Sequence, residues 1–309
     1  MLKAIKHKIS SFFIIKRKRD NSMFLDSQYT EEEGNDIIYR ELLDNKPRFI
    51  GRFGTVELAA LYFQAKQERM PWKKYPKSTK QCLSRNSGMF SDSFFGRHFF
   101  IKTIKKVLKK LDYLCIWQDH DVTEFEQYLL KKYSTSKLVC LPKYSTEPFR
   151  YKMPWTQALE GKNVLIINPN DELIREQFEI KDKLFGGKLW PDFTLLTYKP
   201  IDTSAGNRYS PPYKSWKKCL QKMVDDINKI DFDVALVSCG SYGMPICSAI
   251  FESGKTAIYV GGVLQFMFGI TGKRFEEQYD SKWINEYFKR PLDKDKPKAF
   301  QEIEEGCYW

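Results

Sequence analysis

The sequence is poor in the residues from which metal and redox sites are built. Three histidines (His7, His98 and His120) are dispersed through 309 residues, which excludes a His-rich metal cluster. The seven cysteines are scattered, odd in number and never spaced C-x-x-C. That excludes a disulfide framework and a cysteine zinc site, and fits a reduced, cytoplasmic protein. No G-x-G-x-x-G is present, which argues against a dinucleotide-dependent dehydrogenase, and no Walker A loop occurs. No apolar run approaches the about 18–20 residues that a bilayer-spanning helix needs. Internal repeats and low-complexity segments are absent as well.

What the sequence does have is aromatic and basic. With 23 Phe, 17 Tyr and 7 Trp, most of the chain must fold to bury its rings. The net charge is +12. Seven positives (Lys3, Lys6, Lys8, Lys16, Arg17, Lys18 and Arg19) fall within the first 19 residues, which hold no acid, leaving +5 for the other 290. Near-balance in the body argues against a nucleic-acid-binding protein. In the N-terminal stretch, Leu2, Ile5, Ile9, Phe12 and Phe13 share a helical stripe. Two readings stand: a short helix lying on an anionic membrane surface, or a solvated basic tail. Residues 1–34 are expected to be this tail plus a linker, and residues 35–309 a single domain.

Short apolar runs alternate with helix-period segments. Strands are expected at Arg48–Phe53, Tyr113–Trp117, Leu138–Leu141, Val164–Ile167, Phe193–Tyr198, Val234–Ser238 and Ala257–Val260. Helices are expected at Asp36–Leu43, Val56–Arg69 (with Thr55 as N-cap), Lys102–Lys110, Thr123–Tyr133, Trp155–Leu159, Glu172–Leu184, Tyr213–Ile230 and Pro245–Ser253. Residues 70–100, rich in Pro, Ser and Gly, read as irregular. The alternation predicts an α/β fold of Rossmann-like type, a mostly parallel sheet with flanking helices. Its ligand belongs at the carboxyl ends of the strands.

Two strand-to-helix turns there carry glycine. The first is Gly240-Ser241-Tyr242-Gly243 and the second is Gly261-Gly262, followed by Gln265. Glycine lets backbone amides approach a ligand, and a helix N-terminus favours an anion. Lys273 and Arg274, just beyond, are placed to neutralise phosphate. At the end of the first strand, Arg52-Phe53-Gly54-Thr55-Val56-Glu57 would point Arg52 into the crevice. Glu57 reads as a general base or metal ligand, or as an acid favoured in a first helical turn by the helix dipole alone. Of three D-x-D pairs, Asp231 and Asp233 fall at the wrong edge and Asp293 and Asp295 in a solvated loop. Asp119 and Asp121 fall at the edge expected for the ligand. Aromatic residues from Tyr144 to Trp155, with Tyr209 and Tyr213, are either stacking surfaces or packing. Asn86 and Gly88 lie in a loop able to line the crevice.

The pattern Arg52-x-Gly54-x-x-Glu57 resembles the N-terminal motif of the GT-D-fold glycosyltransferases. The resemblance runs through Trp155, Val164–Ile167, Asp231-Phe232-Asp233 and Gly240–Gly243. It is densest in Gly261-Gly262-x-x-Gln265-x-x-Phe268-Gly269-Ile270-x-Gly272-Lys273-Arg274, and includes Glu305-Gly306-Cys307-Tyr308-Trp309. It implies transfer of a sugar from a nucleotide-sugar donor, a UDP-sugar, to a glycan acceptor in bacterial surface polysaccharide or glycoprotein glycan synthesis, with an acceptor that can be lipid-linked. It implies Glu57 and Arg52 as catalytic residues. Gly54, Gly240, Ser241, Tyr242, Gly243, Gly261, Gly262, Gln265, Lys273 and Arg274 would hold the donor. A divalent cation, Mn²⁺ or Mg²⁺, would sit at Glu57. The chain departs from the family at Thr55, where a second carboxylate is usual. It departs again at Asn168-Pro169-Asn170, where His-Pro-Phe is usual, and at Tyr259 and Phe275, where His and Trp are usual. A scaffold that binds nucleotide sugars without turnover, or another nucleotide-dependent enzyme of Rossmann-like fold, would share these features.

Overall fold

A computed structural model describes residues 27–66, 77–90, 94–118, 122–135, 137–204, 213–297 and 299–309. The basic segment 1–19 and the Asp119 and Asp121 pair fall outside them.

Seven strands form one sheet: β1 (Phe49–Gly51), β2 (Tyr113–Ile116), β3 (Val139–Pro142), β4 (Asn163–Ile167), β5 (Thr194–Tyr198), β6 (Val234–Val237) and β7 (Thr256–Tyr259). Their order is β3-β2-β1-β7-β6-β4-β5, and every pairing is parallel. Each strand coincides with one of the seven apolar runs read from the sequence.

A parallel sheet covered on both faces sends alternate side chains into two different cores. Phe49, Leu165, Ile167, Ala235, Val237 and Ala257 enter one cluster. Ile50, Val164, Ile166, Leu236 and Ile258 enter the other. The first face is covered by α2 (Thr55–Lys66), α4 (Phe94–Leu108), α5 (Thr123–Tyr133), α7 (Trp216–Ile227) and α8 (Gly243–Glu252). The second is covered by α1 (Glu31–Leu43), α6 (Asp171–Phe178), α9 (Val263–Met267) and α10 (Lys273–Gln278). Between α2 and α4 lies α3 (Lys77–Ser87), whose Leu83 joins the first core.

Several elements differ from expectation. Segment 70–100 is not irregular throughout, since α3 and the start of α4 lie in it. Trp155–Leu159 is a 3-10 turn rather than an α-helix, and α6 stops at Phe178. Helix α1 begins five residues earlier than expected. A capping box starts it: the Glu33 N–H donates to Thr30 Oγ1 at 3.2 Å, and the Thr30 N–H donates to Glu33 Oε2 at 2.7 Å. Thr55 is the first residue of α2 rather than its cap, and the Gly54 carbonyl accepts the first helical bond, from Leu58 at 3.0 Å. Asp295 is not solvated: its side chain is fully buried in an ion pair with Lys199.

Topology fixes the crevice. From β1 the chain turns to α2 on the first face, and from its neighbour β7 to α9 on the second. Loops leaving adjacent strands in opposite directions open a cleft between them, the usual place for a ligand in such sheets.

Candidate functional site

Arg52 follows the last residue of β1, so its side chain emerges at that cleft. Its guanidinium lies over the Trp117 ring, 5.7 Å from the centroid, with Nη1 3.8 Å from Glu147 Oε1. Glu147 is buried and also accepts from Arg150 Nε at 2.6 Å. Arg150 in turn stands among the rings of Tyr144, Tyr279 and Trp283. One carboxylate thus serves two guanidiniums, so the cluster keeps an excess of positive charge. Arg52 Nη1 is buried and has no hydrogen-bond partner. A buried donor without an acceptor costs about 1–3 kcal/mol, which an anionic ligand would recover.

Glu57 lies in the first turn of α2, where its charge complements the helix dipole. Its carboxyl folds back over Gly54, and a Cβ at residue 54 would overlap Oε2. Burial pushes the Glu57 carboxyl above the ordinary range, the Ser87 hydroxyl pulls it back, and the charge of Glu304 raises it further. Both Glu57 and Arg52 act electrostatically on Tyr259 at the end of β7, whose phenol is raised mainly by burial. The structure therefore brings Arg52, Glu57 and the β7 end into one place.

The first glycine turn is closed by protein atoms. Gly240 has φ +54°, and a Cβ there would lie 2.7 Å from the Ser87 carbonyl oxygen. Ser241 Oγ accepts from Trp216 Nε1 at 2.9 Å. Tyr242 is buried, stacked on Trp216 with 5.1 Å between centroids, its hydroxyl 2.9 Å from Thr203 Oγ1. A side chain at Gly243 would overlap the Tyr259 ring. Neighbouring side chains and backbone thus account for the residue types of this turn.

The second turn faces the cleft. Gly261 has φ +76°, and a Cβ there would sit 3.5 Å from Arg52 Nε. Gly262 seats Tyr308, whose ring would be 3.0 Å from a Cβ at residue 262, and Gly272 meets the Tyr308 backbone at 2.6 Å in the same sense. Gln265 Nε2 donates to the Tyr308 carbonyl at 3.3 Å, and Gln265 Oε1 accepts from Asn170 at 3.4 Å. Arg274 donates to the Tyr308 hydroxyl and, at 3.1 Å, to Glu304. Its pairing with Tyr308 first, and with Glu304, raises its basicity. Lys273 is exposed. The chain's own Glu304 and Tyr308 therefore engage Gly262, Gln265 and Arg274, which the sequence assigned to the donor, and leave Lys273 exposed. Glu304 and Glu305 reach this position with φ of +47° and +60°, a left-handed backbone that non-glycine residues seldom adopt.

Sequence reasoning missed Glu147 and Arg150. Their signal was faint: an acid and a base three residues apart, in a loop following a strand at the ligand edge. It also missed Glu126 on α5, a buried carboxyl that accepts from the Trp117 backbone N–H at 2.7 Å. Asp233, by contrast, accepts from the Asn163 N–H at 2.7 Å where β4 begins, the edge opposite the cleft. Among the described residues no three His, Cys, Asp or Glu side chains gather into a metal site. The residue two before Glu57 is Thr55, so no second carboxylate stands at that position of the turn. Every cysteine is free. No helix among the described residues is long and apolar enough to cross a membrane.

No family model matches the chain, and no curated protein matches it. Three solved structures are similar. One is described as a new glycosyltransferase (DUF1792) from Streptococcus sanguinis, with 10% identity and a TM-score of 0.43 over 90% of this chain and 97% of that one. Another is a selenomethionine-substituted domain of unknown function 1792, with 12% identity and a TM-score of 0.40 over 89% and 98%. The third is a domain of unknown function 1792 described as having a distinct glycosyltransferase fold, with 13% identity and a TM-score of 0.38 over 89% and 98%.

Proposed function

We propose that this protein is a glycosyltransferase that takes a nucleotide-sugar donor, a UDP-sugar, in the cleft between β1 and β7 and passes the sugar to a glycan acceptor. The observation that carries the reading is Arg52: a guanidinium whose buried Nη1 has Glu147 at 3.8 Å but makes no hydrogen bond, beside the left-handed turn at Gly261. Departure of a nucleoside diphosphate builds negative charge, and a fixed cation stabilises that charge as it forms. Gly54, Gly261, Gly262 and Gln265 would line the donor, with Lys273 and Arg274 at its phosphate end once Tyr308 shifts. Gly240, Ser241, Tyr242 and Gly243 would then act by holding Tyr259 and the β6 turn in place. Glu57, its carboxyl raised by burial, suits a base that takes the acceptor hydroxyl proton.

The acceptor class, a surface polysaccharide or glycoprotein glycan in a bacterial cytoplasm, rests on the motif resemblance. So does the exclusion of nucleic acid, together with the balanced charge of the body. The test is a thermal-shift panel of sugar nucleotides, with and without Mn²⁺, followed by donor hydrolysis and transfer assays on Arg52→Ala and Glu57→Gln. Arg52→Ala is expected to abolish the donor-induced shift. Glu57→Gln is expected to keep the shift and lower turnover by about 10²-fold or more. Unchanged hydrolysis and transfer in both variants would sink the reading. Donor binding by the wild type with no turnover on any acceptor would favour a nucleotide-sugar-binding scaffold, the role suggested by Thr55 at the second carboxylate position.

A further inference from the structure

Helix α4 buries one stripe and shows another. Phe100, Ile101, Ile104, Val107 and Leu108 enter the first core, packed against α5, α7 and α8. On the outer side, His98, Lys102, Lys106 and Lys109 are exposed. Their spacing of four, four and three residues puts them in one line along the helix, about 16 Å long at 1.5 Å per residue. No acid occurs between residues 94 and 111, whereas Arg97, Lys105 and Lys110 add three more positives. Lys110 pairs with Glu252, but no acid among the described residues pairs with Lys102, Lys106 or Lys109. Exposed Lys217 and Lys218 on α7 and Lys131 on α5 extend the same sign over the neighbouring helices.

Like charges aligned along a helix repel one another, and a chain selected only for stability would intersperse acids among them. Such a stripe needs an anionic counterpart. We propose that the outer face of α4 is a contact surface for an anionic phospholipid bilayer. The stripe is straight and lies on a convex helix, so it matches a plane better than a groove. No exposed aromatic ring among the described residues interleaves with it, as stacking on nucleic-acid bases would require. The first 19 residues carry seven positives and no acid, and two weak membrane signals together hold a protein where one does not.

The placement has a use. Ser87, at the end of α3, meets the Gly240 turn at the carboxyl edge of the sheet, and α4 runs from that side back to the start of β2 at Tyr113. A molecule lying on α4 therefore holds its strands along the membrane, with the cleft opening beside the lipid headgroups. The inference stands on the α4 surface and not on the transferase reading.

The test is sedimentation of the full chain with phosphatidylcholine vesicles, alone or mixed with phosphatidylglycerol. The variant is Lys102→Ala/Lys106→Ala/Lys109→Ala. A charge-matched control is Lys152→Ala/Lys188→Ala/Lys282→Ala, which removes three exposed lysines from outside the first face. Each lysine near an anionic surface changes partitioning about fivefold, so the α4 variant should bind mixed vesicles about 100-fold more weakly. The control should fall by less than about fivefold, and both should melt like the wild type. Equal losses in the two variants would mean that net charge alone acts and would overturn the proposal. So would absence of wild-type binding to mixed vesicles, or an α4 variant that loses affinity for a duplex oligonucleotide and not for vesicles.

Discussion

Glu126→Gln isolates a single buried proton. Glu126 is 1% exposed; Oε2 accepts from the Trp117 N–H, and Oε1 has no partner. Burial raises its carboxyl from 4.5 to about 8. Between those two values the folded chain holds a proton that the unfolded chain has released, so stability falls as pH rises through the window. The slope approaches about 1.4 kcal/mol per pH unit, and the ceiling over the whole window is about 5 kcal/mol. Glutamine keeps the shape and can accept from Trp117, but it does not titrate. Urea melts of both proteins from pH 4.5 to 9 should give a difference curve that is flat within about 1 kcal/mol at the acid end. The curve should then climb in favour of the glutamine variant up to pH 8 and level above it. Parallel pH profiles, or a glutamine variant less stable at pH 8.5, would refute the burial argument. The consequence reaches the cleft, because the Trp117 indole lies beneath both Arg52 and Lys143.

Two packing predictions accompany this one. Gly243→Ala drives a methyl into the Tyr259 ring and should cost about 1–3 kcal/mol in chemical denaturation; an unchanged midpoint would mean that the ring has room to move. Tyr242→Phe keeps the stack on Trp216 but deletes the hydrogen bond to Thr203. A loss of about 1 kcal/mol is expected, with the near-ultraviolet dichroism of the stacked pair retained, and loss of that dichroic signal would show that the hydroxyl, not the stack, positions the ring.

Strands were readable because each one is a short apolar run between turns, and burial on both faces leaves little room for polar residues. Val164–Ile167 and Ala257–Val260 each fall within one residue of the observed strand. Helix α3 was not readable. Its sequence, Lys-Ser-Thr-Lys-Gln-Cys-Leu-Ser-Arg-Asn-Ser, has one large aliphatic residue, Leu83, which enters the core, so packing rather than pattern makes it a helix. The positions of Arg52, Glu57 and Gly261 beside the cleft were legible because Arg52 and Gly261 follow the carboxyl ends of strands and Glu57 opens the helix after one, where topology places ligands. Glu147 was not, because its link to Arg52 spans 95 residues of chain and exists only after β1, β2 and β3 are aligned.

The second glycine turn shows where local pattern and tertiary structure part. Gly261 and Gly262 look alike in sequence, yet only Gly261 has the Arg52 guanidinium beside it, while Gly262 carries the ring of Tyr308. Arg274 is likewise engaged by Tyr308 and Glu304. A basic pair behind two glycines is therefore an ambiguous sign. The same residues suit a phosphate or a returning tyrosine, since both present oxygen to an arginine and both need a floor without side chains. Arg52 is less committed than Arg274: its Nη1 has the Glu147 carboxylate at 3.8 Å and no hydrogen bond, whereas Arg274 donates to both of its oxygen partners.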